Sequence, residues 1–225
     1  MAHSSPGEQV HPAAPAAVCL ALAEALATRI CHDLAGGLGT LIGALEMAGE
    51  DAGFAGEATS VAQDAATTLG NRLRFMRVAW GGGGEPIDAA AISELAAGLP
   101  CGRRVRVQLD ALAPDRMFAA DAARLLVNLL LVGVEGLAGE GSVEVAEAGG
   151  GDVMIVIQGP RAAWPAGFAA QFTDANLALH AASGGGPRLL QAPLTALIAH
   201  ASGRRLSMLL GARTEGAAPL IADLG

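Results

Sequence analysis

Across residues 17–48 the large apolar side chains fall at Leu22, Leu26, Ile30, Leu34, Leu38, Leu41 and Leu45, in steps of four and three. That spacing lines one face of a helix and predicts a single long amphipathic α-helix. A glycine- and acid-rich break, GEDAGFAGE, follows, and a second series runs through Val61, Ala65, Leu69, Leu73, Met76 and Trp80. Two long helices joined by a short turn make an antiparallel hairpin. A two-helix hairpin cannot cover both of its own apolar stripes. The C-terminal half could cover them, but we expect a second copy to do so, giving a four-helix bundle about a two-fold axis.

The run Gly81-Gly82-Gly83-Gly84-Glu85-Pro86 interrupts the pattern and reads as a flexible hinge ended by a proline at a helix start. Beyond it the periods alternate. They predict a helix over 87–98, a strand over 104–109, a long apolar helix over 117–137, strands over 142–147 and 152–158, a helix over 189–201, and a strand pair over 205–210 and 217–222. This is an α/β domain with several helices on one face of a mixed sheet. The Gly/Pro/Ala-rich stretch 160–187 carries no assignable period. The expected organisation is a disordered tail (1–17), a helical hairpin (18–80), a hinge (81–86) and an α/β domain (87–225).

Composition narrows the chemistry. The 225 residues are 52% hydrophobic but only 3% aromatic, with no Tyr, so the core must be built from Leu, Val, Ile and Ala. All 14 basic residues are Arg, which excludes a Schiff-base or P-loop lysine. A net charge of −8 without any basic run argues against nucleic acid or an anionic membrane as partner. The leader has no basic region, and Glu24 breaks the apolar run that follows it, so neither a signal peptide nor a membrane span is expected. Three widely spaced cysteines, Cys19, Cys31 and Cys101, fit a reducing cytoplasm.

The stretch ICHDLAGGLGTLIGAL, residues 30–45, holds four glycines directly after a His-Asp pair. Ile30 and Leu34 define the buried stripe, so His32 lies about 160° from Leu34 and points to solvent. Each mid-helix glycine costs about 1 kcal/mol relative to alanine. On the His32 face, Ala35, Gly36 and Gly39 clear side chains away from the imidazole and leave a flat approach for another protein's backbone. Cys31, His32 and Asp33 are neighbours on a helix and cannot converge on one metal or form a nucleophile-base relay among themselves. With the turn centred near Gly53, paired positions sum to about 106, which puts position 74 opposite His32. Arg72, Arg74 and Arg77 would gather there with Arg29 one turn before the histidine, a set suited to a phosphoryl group or an acidic docking surface. His180 and His200 lack spaced acid or cysteine partners and read as structural. No charge arrangement marks Cys31 as a thiolate.

His32-Asp33-Leu34 on the first of two long helices, ahead of an α/β domain, resembles the dimerisation and phosphotransfer region of bacterial sensor histidine kinases. The arrangement is most similar to the ChpT-type histidine phosphotransferases, whose kinase-like (Bergerat) C-terminal domain is degenerate. ICHDLAGGLGTLIGALEMA and LRFMRVAWGG carry the likeness most specifically. The family's proline five residues after the histidine is Gly37 here. RLLVNLLLVG, residues 124–133, resembles the kinase N-box: Asn128 matches its first asparagine, while Val132 replaces the metal-binding one. Ile157-Gln158-Gly159-Pro160 stands where the family has Asp-x-Gly for adenine, and Ser183-Gly184-Gly185-Gly186-Pro187 resembles the later glycine box.

ATP chemistry needs a metal between the phosphates and an acceptor for the adenine amino group, and neither Val132 nor Gln158 suits those tasks. The resemblance therefore implies a cytoplasmic, homodimeric histidine phosphotransferase of a bacterial phosphorelay with no cofactor of its own. His32 would take a phosphoryl group from the receiver domain of a hybrid kinase and pass it to a response regulator. Mg²⁺ would come from the receiver, Asp33 would assist the imidazole, and Arg29, Gly36, Arg72, Arg74 and Arg77 would dock the receiver or orient the phosphoryl group. The alternatives are an ATP-dependent histidine kinase and a dimeric adaptor that binds receivers without accepting phosphate.

Overall fold

The computed structural model of the protein describes residues 13–50, 53–209 and 217–225, with side chains from residue 16 onward in the first of these. Helices α1 (Ala13–Glu50) and α2 (Ala55–Trp80) form the hairpin. Residues 13–17, expected as tail, belong to α1, and 1–12 lie outside the described residues. Ala44, Ala58, Ala62 and Ala65 are buried between the helices, and such small side chains let the two backbones approach closely. A Cβ placed on Gly37 would sit 2.7 Å from Leu69 Cδ2, so Gly37 makes room for Leu69 at the register expected from the turn.

The rest of the chain forms β1 (Ile87–Asp88), α3 (Ala89–Leu95) with a 3₁₀ turn at Ala96–Gly98, β2 (Val105–Ala111), β3 (Met117–Phe118), α4 (Ala120–Gly136), β4 (Gly141–Gly149), β5 (Asp152–Gln158), α5 (Phe168–Gln171), α6 (Ala175–Gly184), α7 (Gln191–Ser202), β6 (Leu206–Met208) and β7 (Leu220–Ala222). Strand order is β2-β4-β5-β7-β6; β2 and β4 are parallel and the other neighbours antiparallel. β1 and β3 pair in a separate two-stranded ribbon. Alternation selects the faces: Val143, Val145, Val153, Ile155 and Ile157 are buried, whereas Arg106, Gln108 and Asp110 on β2 face water. α4, buried from Ala122 to Val134 apart from half-buried Arg124 and apolar there except for Arg124 and Asn128, fills the space between the sheet and α7. The unassigned 160–187 stretch contributes the short α5 and α6, whose helical period is masked by small residues.

The glycine run does not separate two cores. Phe75 and Ala79 of α2 lie in the same apolar cluster as Leu126, Leu129 and Leu130 of α4, with Trp80 packed against it. Gly98 sits so close to α2 that a Cβ there would lie 2.4 Å from the Asn71 carbonyl oxygen. The last turns of α2 therefore belong to the second domain's core, and the boundary falls inside the helix rather than after it.

Asn128 is the polar centre of this junction. Its side chain is fully buried, and its Nδ2 donates to the carbonyls of Ala79 (2.7 Å) and Arg124 (2.8 Å). Its Oδ1 accepts from Trp80 Nε1 (3.2 Å) and from Gln191 Nε2 (2.8 Å). One amide thus ties α2, α4 and α7 together. Asn128→Leu keeps the volume but strands Trp80 Nε1 without its partner, and should lower stability by about 3 kcal/mol in chemical denaturation.

Candidate functional site

α1 presents His32 to solvent with its side chain 77% exposed. Its Nδ1 lies 3.4 Å from Asp33 Oδ1, within reach of a hydrogen bond along the helix surface. A Cβ on Gly36 or Gly39 would meet nothing within 4 Å, so packing does not explain these two glycines, in contrast to Gly37. Thr40 Oγ1 donates to the Gly36 carbonyl at 3.1 Å, so its hydroxyl is folded back onto its own helix.

The structure separates the expected arginines. Arg29 is buried at 8% exposure and faces the second domain instead of standing free beside His32. Its guanidinium donates to Glu135 Oε1 and to the Pro187 carbonyl at 3.5 Å, and lies 5.7 Å from the centre of the Trp80 ring. Its Nε faces Asp33 Oδ2 at 3.8 Å. Arg72 is half-buried; burial pushes its guanidinium down from the ordinary value, against the upward pull of Asp33 and Cys101. Arg74 and Arg77 are not with it. They line a cleft of about 650 Å³ with Arg124 and glycines 81–84, because residues 72 and 74 stand about 200° apart on a helix.

Glu135 is the residue that sequence reasoning missed. It lies in the last turn of α4, where a negative charge opposes the helix dipole, so its position was itself a signal that an external cation would meet it. Partial burial raises its carboxyl above the usual range, while the Arg29 charge and hydrogen bond pull it back and Asp33 adds to the rise. His200 Nε2 contacts the Gln171 carbonyl at 2.8 Å, and His180 is exposed on α6. Val132 is fully buried in the apolar core, and Gln158 lies exposed at the end of β5.

The profile of the family described as "Histidine phosphotransferase C-terminal domain" matches residues 89–214, more than half of the chain. The protein belongs to this histidine phosphotransferase family. Among solved structures, the fold is similar to the 1.7 Å structure of a bacterial phosphotransferase, at 23% identity over 90% of this chain and 95% of that chain, with a TM-score of 0.62. A histidine kinase from Burkholderia phymatum STM815 matches at 15% identity over 92% of this chain and 98% of that chain, with a TM-score of 0.37. A blue-light-activated histidine kinase domain from Erythrobacter litoralis EL346 matches at 16% identity over 88% and 93%, with a TM-score of 0.38. No curated protein sequence matches the chain. The expected family and fold are thus found: a helical N-terminal region followed by an α/β domain.

The open glycines of this histidine phosphotransferase can be tested for stability directly. Gly36→Ala should raise helix stability by about 1 kcal/mol in a thermal melt, because nothing opposes the added methyl.

Proposed function

We propose that this histidine phosphotransferase is a relay protein that accepts a phosphoryl group on His32 from a receiver-domain aspartate and passes it to a response regulator, without using ATP. The observation that carries the reading is His32 itself, exposed on a cleared helix face with Asp33 at its Nδ1. With the proton on Nδ1, the Nε2 lone pair attacks phosphorus. The bond from phosphorus to the aspartyl oxygen breaks, and its electron pair returns to the receiver's carboxylate. The return step to a regulator reverses these events. The receiver's own Mg²⁺ neutralises the transferring group, so this chain supplies a positioned nucleophile and a docking face. Arg72 and Gly36 lie on the receiver's approach, while Arg74 and Arg77, with Arg124, offer a second cationic surface to an acidic regulator.

Two further observations support the reading. The Asn128 amide is spent on protein partners and Val132 is apolar and buried, so neither is free to serve a nucleotide or its metal. On the hairpin, Leu38 (49% exposed), Ile42 (48%) and Leu45 (56%) leave an apolar strip in water, which we assign to a homodimeric four-helix bundle. No helix among the described residues is long and apolar enough to cross a membrane, and the relay is placed in the cytoplasm as part of the proposal.

The test mixes the purified protein with an aspartyl-phosphorylated receiver and Mg²⁺, beside a His32→Ala variant and an ATP-only control. Acid-labile label on the wild type alone, none of it from ATP, is expected. The wild type should also scatter light as a dimer and the Ile42→Asp, Leu45→Asp double variant as a monomer. Label taken from ATP makes the protein a kinase, and no label from any receiver makes it an adaptor.

A further inference from the structure

Arg29 lies three residues before His32 yet reaches it only through other groups. Its charge is withdrawn from water, and its Nε is buried with no hydrogen-bond partner. An arginine in that state costs several kcal/mol unless its charge is met. Here the second domain meets it: Glu135 from the end of α4 and the Pro187 carbonyl take two of its nitrogens, and the Trp80 ring centre lies 5.7 Å from the guanidinium carbon. These contacts restrain the guanidinium and leave its unpartnered Nε 3.8 Å from Asp33 Oδ2, an ion pair without a hydrogen bond. The other oxygen of the same carboxylate faces His32 Nδ1.

A cation on one side of a carboxylate biases its rotation toward that side. With Oδ2 drawn toward Arg29, Oδ1 is left to accept from Nδ1, which stabilises the tautomer that bears its proton on Nδ1 and its lone pair on Nε2. The charged groups around Asp33 come from three helices: Arg29 and His32 on α1, Arg72 on α2, and Glu135 on α4. Arg72 feels Asp33 only as a nearby charge, whereas Arg29 makes the one arginine ion pair with it among the described residues, so Arg29 is the arginine placed to bias the carboxylate's direction.

We propose that Arg29, clamped by Glu135 of the second domain, is a positioning residue that aims Asp33 at His32 and so sets the tautomer of the phosphoryl-accepting imidazole. The inference rests on His32 being the acceptor. It gives the second domain a part in the chemistry without contact with the reacting atoms. A movement of α4 or of the loop at Pro187 would release Arg29 and change His32 reactivity from outside the hairpin.

The test uses the full-length protein with Arg29→Met, which keeps an apolar stem near Trp80, and Glu135→Gln, which keeps shape while removing charge. Long-range ¹⁵N–¹H spectra of His32 read its tautomer without any phosphate donor. Transfer kinetics and receiver affinity are measured on the same samples. Arg29→Met should move the tautomer population toward Nε2–H and slow phosphoryl transfer by about ten-fold or more, the scale of a misaligned reacting group. Receiver affinity should stay within about two-fold, because Arg29 is buried and Glu135 is already engaged by it. Glu135→Gln should shift both readouts in the same direction, and the double variant should be no worse than Arg29→Met alone. An Arg29→Lys variant should rescue only partly, since an ammonium cannot address Glu135 and Asp33 with separate edges. Folded variants with the wild-type tautomer and rate overturn the inference, as does a loss confined to receiver affinity. If wild-type His32 takes no phosphate, the relay reading fails while the tautomer data still decide whether Arg29 orients Asp33.

Discussion

The buried amide of Asn128 constrains everything else in this molecule. It has two donor hydrogens and one acceptor oxygen in a space without water, and all are satisfied only if the end of α2, the middle of α4 and the start of α7 hold one relative arrangement. Because a buried polar group left unmade costs more than its bond contributes, the arrangement is effectively all-or-none. The hairpin is thereby mounted on the α/β domain at a set angle, with Phe75, Ala79 and Trp80 inserted into a shared core. The glycine run that follows is a loop leaving this joint, and α1 is brought close enough for Arg29 to meet Glu135 and Pro187.

From that mounting the two faces of α1 acquire different tasks. The inward side near Arg29 is dry and charge-compensated, and the side one turn on, around His32, is open. Gly36 and Gly39 keep it open at a cost in helix propensity that the packing does not demand. Further along, Leu38, Ile42 and Leu45 remain in water, so the strongest apolar strip of the hairpin lies beside the face that presents the imidazole. Among the described residues the α/β domain buries its central helix and inner sheet face, while the hairpin keeps this strip in water.

Much of this architecture was legible in the residues. The steps of four and three gave the hairpin and its register, because a turn near Gly53 leaves only one pairing, the one that puts Gly37 against Leu69. Period-two alternation found β2, β4 and β5 within two residues of their ends. The outward direction of His32 followed from its angle to Ile30 and Leu34. What failed was the direction of the arginines. Helical periodicity ranks residues by face but does not say which flank another domain will cover, so Arg29, beside the apolar stripe, was read as exposed. Hairpin register puts position 74 level with His32 and so groups Arg72, Arg74 and Arg77, but level is not face, and the helical angle sends Arg74 and Arg77 to the cleft beside the hinge. α6 was missed because alanine and glycine carry too little hydrophobic contrast to reveal a period. Glu135 stood against the dipole of its own helix, and only its tertiary partner accounts for it.

On the proposed reading, the imidazole that α1 presents to solvent at His32 is the group that takes the phosphoryl. The claim is most directly tested by locating the phosphoryl group. Tandem mass spectrometry of peptides prepared at neutral to mildly basic pH, after exposure to a phosphorylated receiver, reads the modified residue itself. The account predicts phosphate on the imidazole of His32. Phosphate on His180, His200 or a carboxylate, with His32 unmodified, would contradict it.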